Sequence, residues 1–204
     1  GNGGDLILLL YLFEVPALCS VLAGYGSRSI YGQVGAAREA VFTLGFNLPF
    51  LAAVIALAAQ ARSFSLASIV ALPLGPVHLL AAIAFLLALP ARLKSNPFSI
   101  ANAEQEILAG ALTEYNAAPL AWFELAHGLE LVALVQLFGV LFLPRLGHAA
   151  ADAVLYLLAG LALVGLVTVL ATATARLRIQ QAFQFYWRWG AAAGLVAIAL
   201  GALL

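Results

Sequence analysis

Residues 152–175 read DAVLYLLAGLALVGLVTVLATATA, an apolar run whose one charged residue, Asp152, stands at its first position. A helix needs about 20 consecutive apolar residues to cross the hydrocarbon of a bilayer, and this run meets that length with nothing inside it that requires water. Working outward, comparable runs fall at about 5–25, 33–61, 72–93, 117–143 and 183–204, giving six spans. With 65% of its residues hydrophobic and 9% charged, the chain lies far outside the composition of soluble domains. The expected fold is all-α: a polytopic integral membrane helix bundle of about six transmembrane helices, forming a single transmembrane domain over 1–204.

Nine basic and nine acidic side chains cancel, so no net field points to nucleic acid. The placement of charge carries the information instead. Arg28, Arg38, Arg92, Lys94, Arg176, Arg178 and Arg188 fall on one side of the alternating topology, and only Arg62 and Arg145 on the other. Lys and Arg favour cytoplasmic loops, so the long polar connection 94–116 is expected to face the cytoplasm in a multi-pass protein of the cell's inner (cytoplasmic) membrane. Tyr186, Trp187 and Trp189 around Arg188 have the composition of an interfacial belt. Cys19, the one cysteine, cannot form an intrachain disulfide and reads as a packing residue. The absence of methionine suggests a chain lacking an N-terminal portion.

Ionisable groups at bilayer depth are costly and mark function by default. Glu14 sits mid-span, two residues before Pro16, and is read either as a hydrated relay or as a protonated acid bonded to a neighbouring helix. Glu39, Thr43 and Asn47 follow at i, i+4 and i+8 beside Arg38, one polar stripe on one helix face, with Pro49 loosening the helix just beyond. Glu124, His127 and Glu130 recur at i, i+3 and i+6, a sequence of groups able to pass protons. They fall short of a metal site, because further nitrogen or sulfur ligands are missing. The run 152–175 is scaffold. Gly190 and Gly194 form a small-residue packing pair.

The polar connection begins at the turn Asn96-Pro97, and Ser99 is placed to cap a short amphipathic cytoplasmic helix with Ile100, Leu108, Ala111 and Leu112 on its apolar face. Glu104 falls within that stripe and should be desolvated, with its pKa raised. Glu106 shares the polar face with Asn102, and Glu114 begins the return to the membrane.

The stretch NPFSIANAEQEILAGALTEYNA resembles the acidic loop of the complex I membrane subunit known as subunit 1, or the H subunit, through Pro97, Phe98, Ala103, Glu104, Glu106, Gly110, Glu114 and Tyr115. GYGSRSIYGQVGAAREAVFTLGFNLP resembles a second family segment, with Gly24, Ser27, Ser29, Tyr31, Gly35 and Arg38 in place, and ARLRIQQAFQFYWRW resembles the segment before the family's last helix. Family acids are replaced at Ser99, Asn102 and Asn47, and His127 stands where quinone-reducing members carry Glu. The segment LAWFELAHGLELVALVQLFGVLF and the ending ATARLRIQQAFQFYWRW look closer to the homologous subunit of group 4 membrane-bound nickel-iron hydrogenases.

The resemblance implies a membrane subunit that carries no redox centre, with the nickel-iron centre and iron-sulfur clusters in partner subunits and quinone left open as a ligand. The partners it implies are hydrophilic iron-sulfur and hydrogenase-like subunits, antiporter-like membrane subunits and the lipid bilayer. Such a component of a respiratory or hydrogenase complex anchors the redox arm and couples electron transfer to proton or sodium translocation. The family has about eight spans, so one or two N-terminal helices would be missing here. The implied coupling residues are Glu104, Glu106, Glu114, Arg38, Glu39, Asn47, Glu124, His127, Glu130 and Glu14, and the implied cytoplasmic docking residues are Arg28, Arg92, Lys94, Arg176 and Arg178. The alternatives are a quinone-module subunit, a stand-alone secondary transporter and a purely structural anchor.

Overall fold

A computed structural model describes residues 5–100 and 110–203. Every regular element among them is helical: α1 Asp5–Gly26, α2 Ile30–Ala61, α3 Leu66–Val70, α4 Pro76–Arg92, a 3₁₀ turn Gly110–Leu112, α5 Ala117–Phe142, α6 Ala149–Ala173 and α7 Ile179–Leu203. Five are long and apolar enough to cross a membrane, and α4, with 17 residues, is the shorter sixth. Its start lies later than the sequence suggested because Pro73, Gly75 and Pro76 interrupt the run; Pro76 takes the first helical position, where no N–H is needed. The amphipathic helix expected after Ser99 lies outside the described residues, apart from buried Ile100 and the closing 3₁₀ turn.

The helices alternate in direction, and contacts between connections define two ends. At one end the Leu177 N–H donates to the Pro97 carbonyl (2.9 Å) and the Tyr115 hydroxyl to the Ala23 carbonyl (3.1 Å). At the other the Leu6 N–H donates to the Phe64 carbonyl (3.2 Å).

Helix α2 forms the axis, packed by α1, α4 and α7. Its aromatic residues continue into the core, with Phe50 and Phe85 centroids 5.3 Å apart and Phe85 in turn 5.6 Å from Phe142. The small residues of α7 let two backbones approach: Gly190 lies against Pro49, Gly194 against Ala52 and Gly201 against Ala56. The Gly190/Gly194 pair thus packs helices within this chain. A methyl group on Gly194 would lie 2.5 Å from the Ala52 Cβ, and one on Gly201 would meet the Ala56 carbonyl oxygen. Because that obstacle is backbone, Gly201→Ala should cost about 1–3 kcal/mol by overpacking, read as a lower thermal midpoint in detergent, while Gly128→Ala, which meets open space, should leave it unchanged.

Tyr186 departs from the expected interfacial belt. It is fully buried, opens a five-residue π turn (Tyr186–Gly190), and donates its hydroxyl to the Leu87 carbonyl (3.0 Å), in the α4 turn loosened by Pro90. Trp187 and Trp189 remain exposed. Helix α6, expected to be scaffold, rests on α5 where Gly139 meets Tyr156 and Gly160 meets Val135.

Candidate functional site

Three proline-containing helices bring the intramembrane charges together. Pro16 leaves α1 without one ladder donor, and in the loosened turn the Phe13 carbonyl accepts a hydrogen bond from Arg92 Nη2. Arg92 Nη1 donates to Glu14 Oε1 (3.0 Å) and to Asn47 Oδ1 (3.0 Å), while Asn47 Nδ2 donates to Glu14 Oε2 (2.6 Å). The guanidinium carbon stacks 4.4 Å from the Phe50 ring centroid, which suits its delocalised charge. Glu130 approaches Arg92 Nε at 3.5 Å, an ion pair looser than the hydrogen-bonded Glu14. Arg92 is only 3% exposed. Its placement corrects the expectation of a docking residue: α4 is tucked into the bundle, so its basic C-terminal turn ends at the depth of Glu14.

A second pair lies beside the first. Lys94 Nζ contacts Glu39 Oε1 at 2.9 Å and donates to Ser20 Oγ (3.2 Å). Lys94, grouped with Arg92 as a docking residue, therefore faces inward as well. The Glu39, Thr43, Asn47 stripe does face its neighbours, with Glu39 on Lys94 and Asn47 on Arg92. Thr43 Oγ1 between them is buried without a hydrogen-bond partner among the described residues.

Helices α1 and α5 diverge around a cavity of about 480 Å³, lined among others by Pro16, Cys19, Ser20, Lys94, Glu124, His127 and Glu130. All three members of the α5 series meet at this cavity. Glu130 lies within electrostatic reach of Arg92, Lys94, Glu39 and Glu14, and His127 of Lys94, Glu124 and Glu39. Cys19 is exposed, against the buried packing role expected, because α1 turns most of its surface outward. No group of three or more His, Cys, Asp or Glu among the described residues is arranged to hold a metal.

The remaining candidates lie nearer the same end. Arg38, Arg176 and Arg178 line a separate groove with Ile100, and Arg176 Nε donates to Ser99 Oγ (3.2 Å). Ser99 also donates to Asn96. Arg28, Arg178 and Glu114 keep part of their surface open. Glu104 and Glu106, with the contrast drawn between them, lie outside the described residues. Sequence reasoning missed Ser20 as a partner and Arg92 as the centre. The available signal was charge balance, since acids at Glu14, Glu39 and Glu130 require buried cations.

Residues 2–202 match the family model described as NADH dehydrogenase. The chain is 36% identical over 142 residues to the H subunit of NADH-quinone oxidoreductase from Syntrophotalea carbinolica, covering 66% of this chain and 43% of that protein. It is 35% identical over 150 residues to hydrogenase-4 component C of Escherichia coli, covering 70% and 47%. Near-equal identity to the two branches gives neither an advantage. A solved structure titled as the membrane-bound sulfane sulfur reductase, an archaeal respiratory membrane complex, contains a chain that superposes with a TM-score of 0.87 at 29% identity, over 97% of this chain and 69% of that one. The chain spans about half the length of the curated relatives it matches. A multi-span helical bundle, a buried set of ion pairs and a family match over nearly every residue agree: this chain belongs to the NADH dehydrogenase family of membrane subunits, with the H subunit of NADH-quinone oxidoreductase and hydrogenase-4 component C among its relatives.

Proposed function

We propose that the chain works as the membrane component of a complex I-like respiratory or hydrogenase complex, holding the hydrophilic redox arm at its basic end and coupling electron transfer to proton or sodium translocation. The observation that carries this reading is the linked set Glu14, Glu39, Asn47, Arg92, Lys94 and Glu130. Three carboxylates face two cations, so uptake of one proton brings the charged members to neutrality. A set that lies within mutual electrostatic reach and borders a cavity can answer a charge change at one end by a proton shift at the other.

In this reading the basic end, with Arg28, Arg176 and Arg178, faces the cytoplasm in the inner membrane and docks iron-sulfur and hydrogenase-like subunits. Their nickel-iron and iron-sulfur centres do the redox chemistry, and antiporter-like subunits receive the signal laterally. Glu104, Glu106 and Glu114 take part in the path in this reading, together with Arg38 and His127. The cavity between α1 and α5 favours a second role, contribution to a quinone site, since it is largely apolar with a few polar groups converging on it.

Glu39→Gln tests the coupling in the full-length chain within its complex, reconstituted in liposomes. It removes the charge facing Lys94 while keeping a hydrogen-bonding amide. With assembly and electron transfer intact, ions moved per electron pair should fall about tenfold, the scale of a change of about 1.4 kcal/mol in a coupled equilibrium. Unchanged stoichiometry in Glu39→Gln and also in Glu114→Gln would leave the bundle as an anchor.

A further inference from the structure

At the end of the bundle away from the charge network, a cavity of about 320 Å³ lies between the α3–α4 connection and the α5–α6 connection. Its lining is aliphatic, from residues such as Ile69, Leu72, Leu74 and Leu141, with two exceptions, His78 and Arg145. His78 is 5% exposed, and its Nδ1 is buried without a hydrogen-bond partner among the described residues. A buried polar atom left unpaired forfeits its hydration with nothing in return, and the imidazole that carries it is one of the residues lining the cavity. Arg145, on the rim, is exposed, and no ion pair of it is found among the described residues.

The backbone adds to these two groups. His78 lies in the first turn of α4, whose N-cap is Gly75 with no side-chain cap and whose first residue is Pro76. Leu79 N–H bonds back to Gly75, so the N–H groups of Val77 and His78 have no acceptor within the helix. An uncapped helix start favours negative charge nearby. An imidazole and a guanidinium thus line one small space among aliphatic residues, beside the first turn of α4. The cavity also lies at a span end, level with the half-exposed Leu74, where a bilayer presents phosphate groups above acyl chains.

We propose that this cavity binds the phosphate of a membrane phospholipid headgroup. His78 donates to one phosphate oxygen, Arg145 pairs with the anionic charge, and the acyl chains run down past Leu72, Leu74 and Ile69. The recognised group is the phosphate, which phosphatidylethanolamine and phosphatidylglycerol share, so either lipid should be retained. The site is separate from the ion-pair network and does not rest on the coupling role.

The test is native mass spectrometry of the full-length chain in its complex, after extraction and exchange into lipid-free detergent, followed by titration with phosphatidylethanolamine, phosphatidylglycerol or inorganic phosphate. One phospholipid should survive exchange. Arg145→Gln and His78→Gln should each lower its occupancy about tenfold, the loss that accompanies one charge-assisted hydrogen bond, while Arg62→Gln at the same end should not. Should His78→Gln fail to fold, the exposed Arg145→Gln decides alone. Equal retention in wild type and Arg145→Gln overturns the proposal. So does protection by inorganic phosphate that matches the lipid, which would make the site one for a free anion.

Discussion

Arg92→Gln is expected to destabilise the bundle by about 3–5 kcal/mol, the range seen when one partner of a buried ion pair is removed. The effect belongs at the top of that range because one guanidinium serves Glu14, Asn47, Glu130 and the Phe13 carbonyl and also stacks on Phe50. Its loss leaves two carboxylates in the membrane interior without their cation, and α1, held to α4 largely through this residue, loses its polar tie. The measurement is the thermal midpoint and the assembled fraction of the complex in detergent. Arg92→Lys should recover only part of the loss, because an ammonium cannot reproduce the planar fork or the stacking. Adding Glu14→Gln to Arg92→Gln should restore stability relative to the single variant, as one stranded charge is removed with its partner. If Arg92→Gln alone leaves both readouts at wild-type values, the network does not hold the fold.

Much of this arrangement was legible along the chain, and the part that was not has a physical cause. Span length and the i, i+4, i+8 stripe report properties of single helices, so the six spans and the single polar face of Glu39, Thr43 and Asn47 could be read directly. Depth and partner are properties of packing. Arg92 and Lys94 close an apolar helix as orientation anchors do, and the sequence does not show that α4 is short, that α2 and α7 enclose it, or that its end meets the middle of α1. Tyr186 misleads for the same reason: its neighbours Trp187 and Trp189 face outward, while the tyrosine at the start of the π turn is buried against the Leu87 carbonyl. Glu14 reads as a hydrated relay or an acid bonded to a neighbouring helix, and the sequence does not show that its partner is a guanidinium 78 residues away.

Glu130→Gln should separate coupling from stability more cleanly than any other substitution. Two acids touch Arg92, but differently. Glu14 accepts hydrogen bonds from both Arg92 and Asn47, at 3.0 and 2.6 Å, whereas Glu130 has a single ion pair at 3.5 Å and borders the cavity shared with His127 and Lys94. An acid held by two directed bonds is a structural ligand of the guanidinium. An acid held by one loose contact, with His127 one helical turn before it and space beside it, is the one expected to exchange a proton under the proposed coupling. In the reconstituted full-length complex, Glu130→Gln should keep assembly and electron transfer while ion translocation falls at least about tenfold. Glu14→Gln should show the reverse emphasis: stability lowered by about 2–3 kcal/mol through lost charge-assisted bonding, read from the thermal midpoint, with a smaller fall in the coupling ratio than in Glu130→Gln in whatever fraction assembles. Glu130→Asp, which keeps the acid but withdraws it from Arg92, should retain part of the translocation. Full translocation in Glu130→Gln would remove this residue from the path, and a loss of assembly matching that of Arg92→Gln would make it a second structural ligand of the guanidinium.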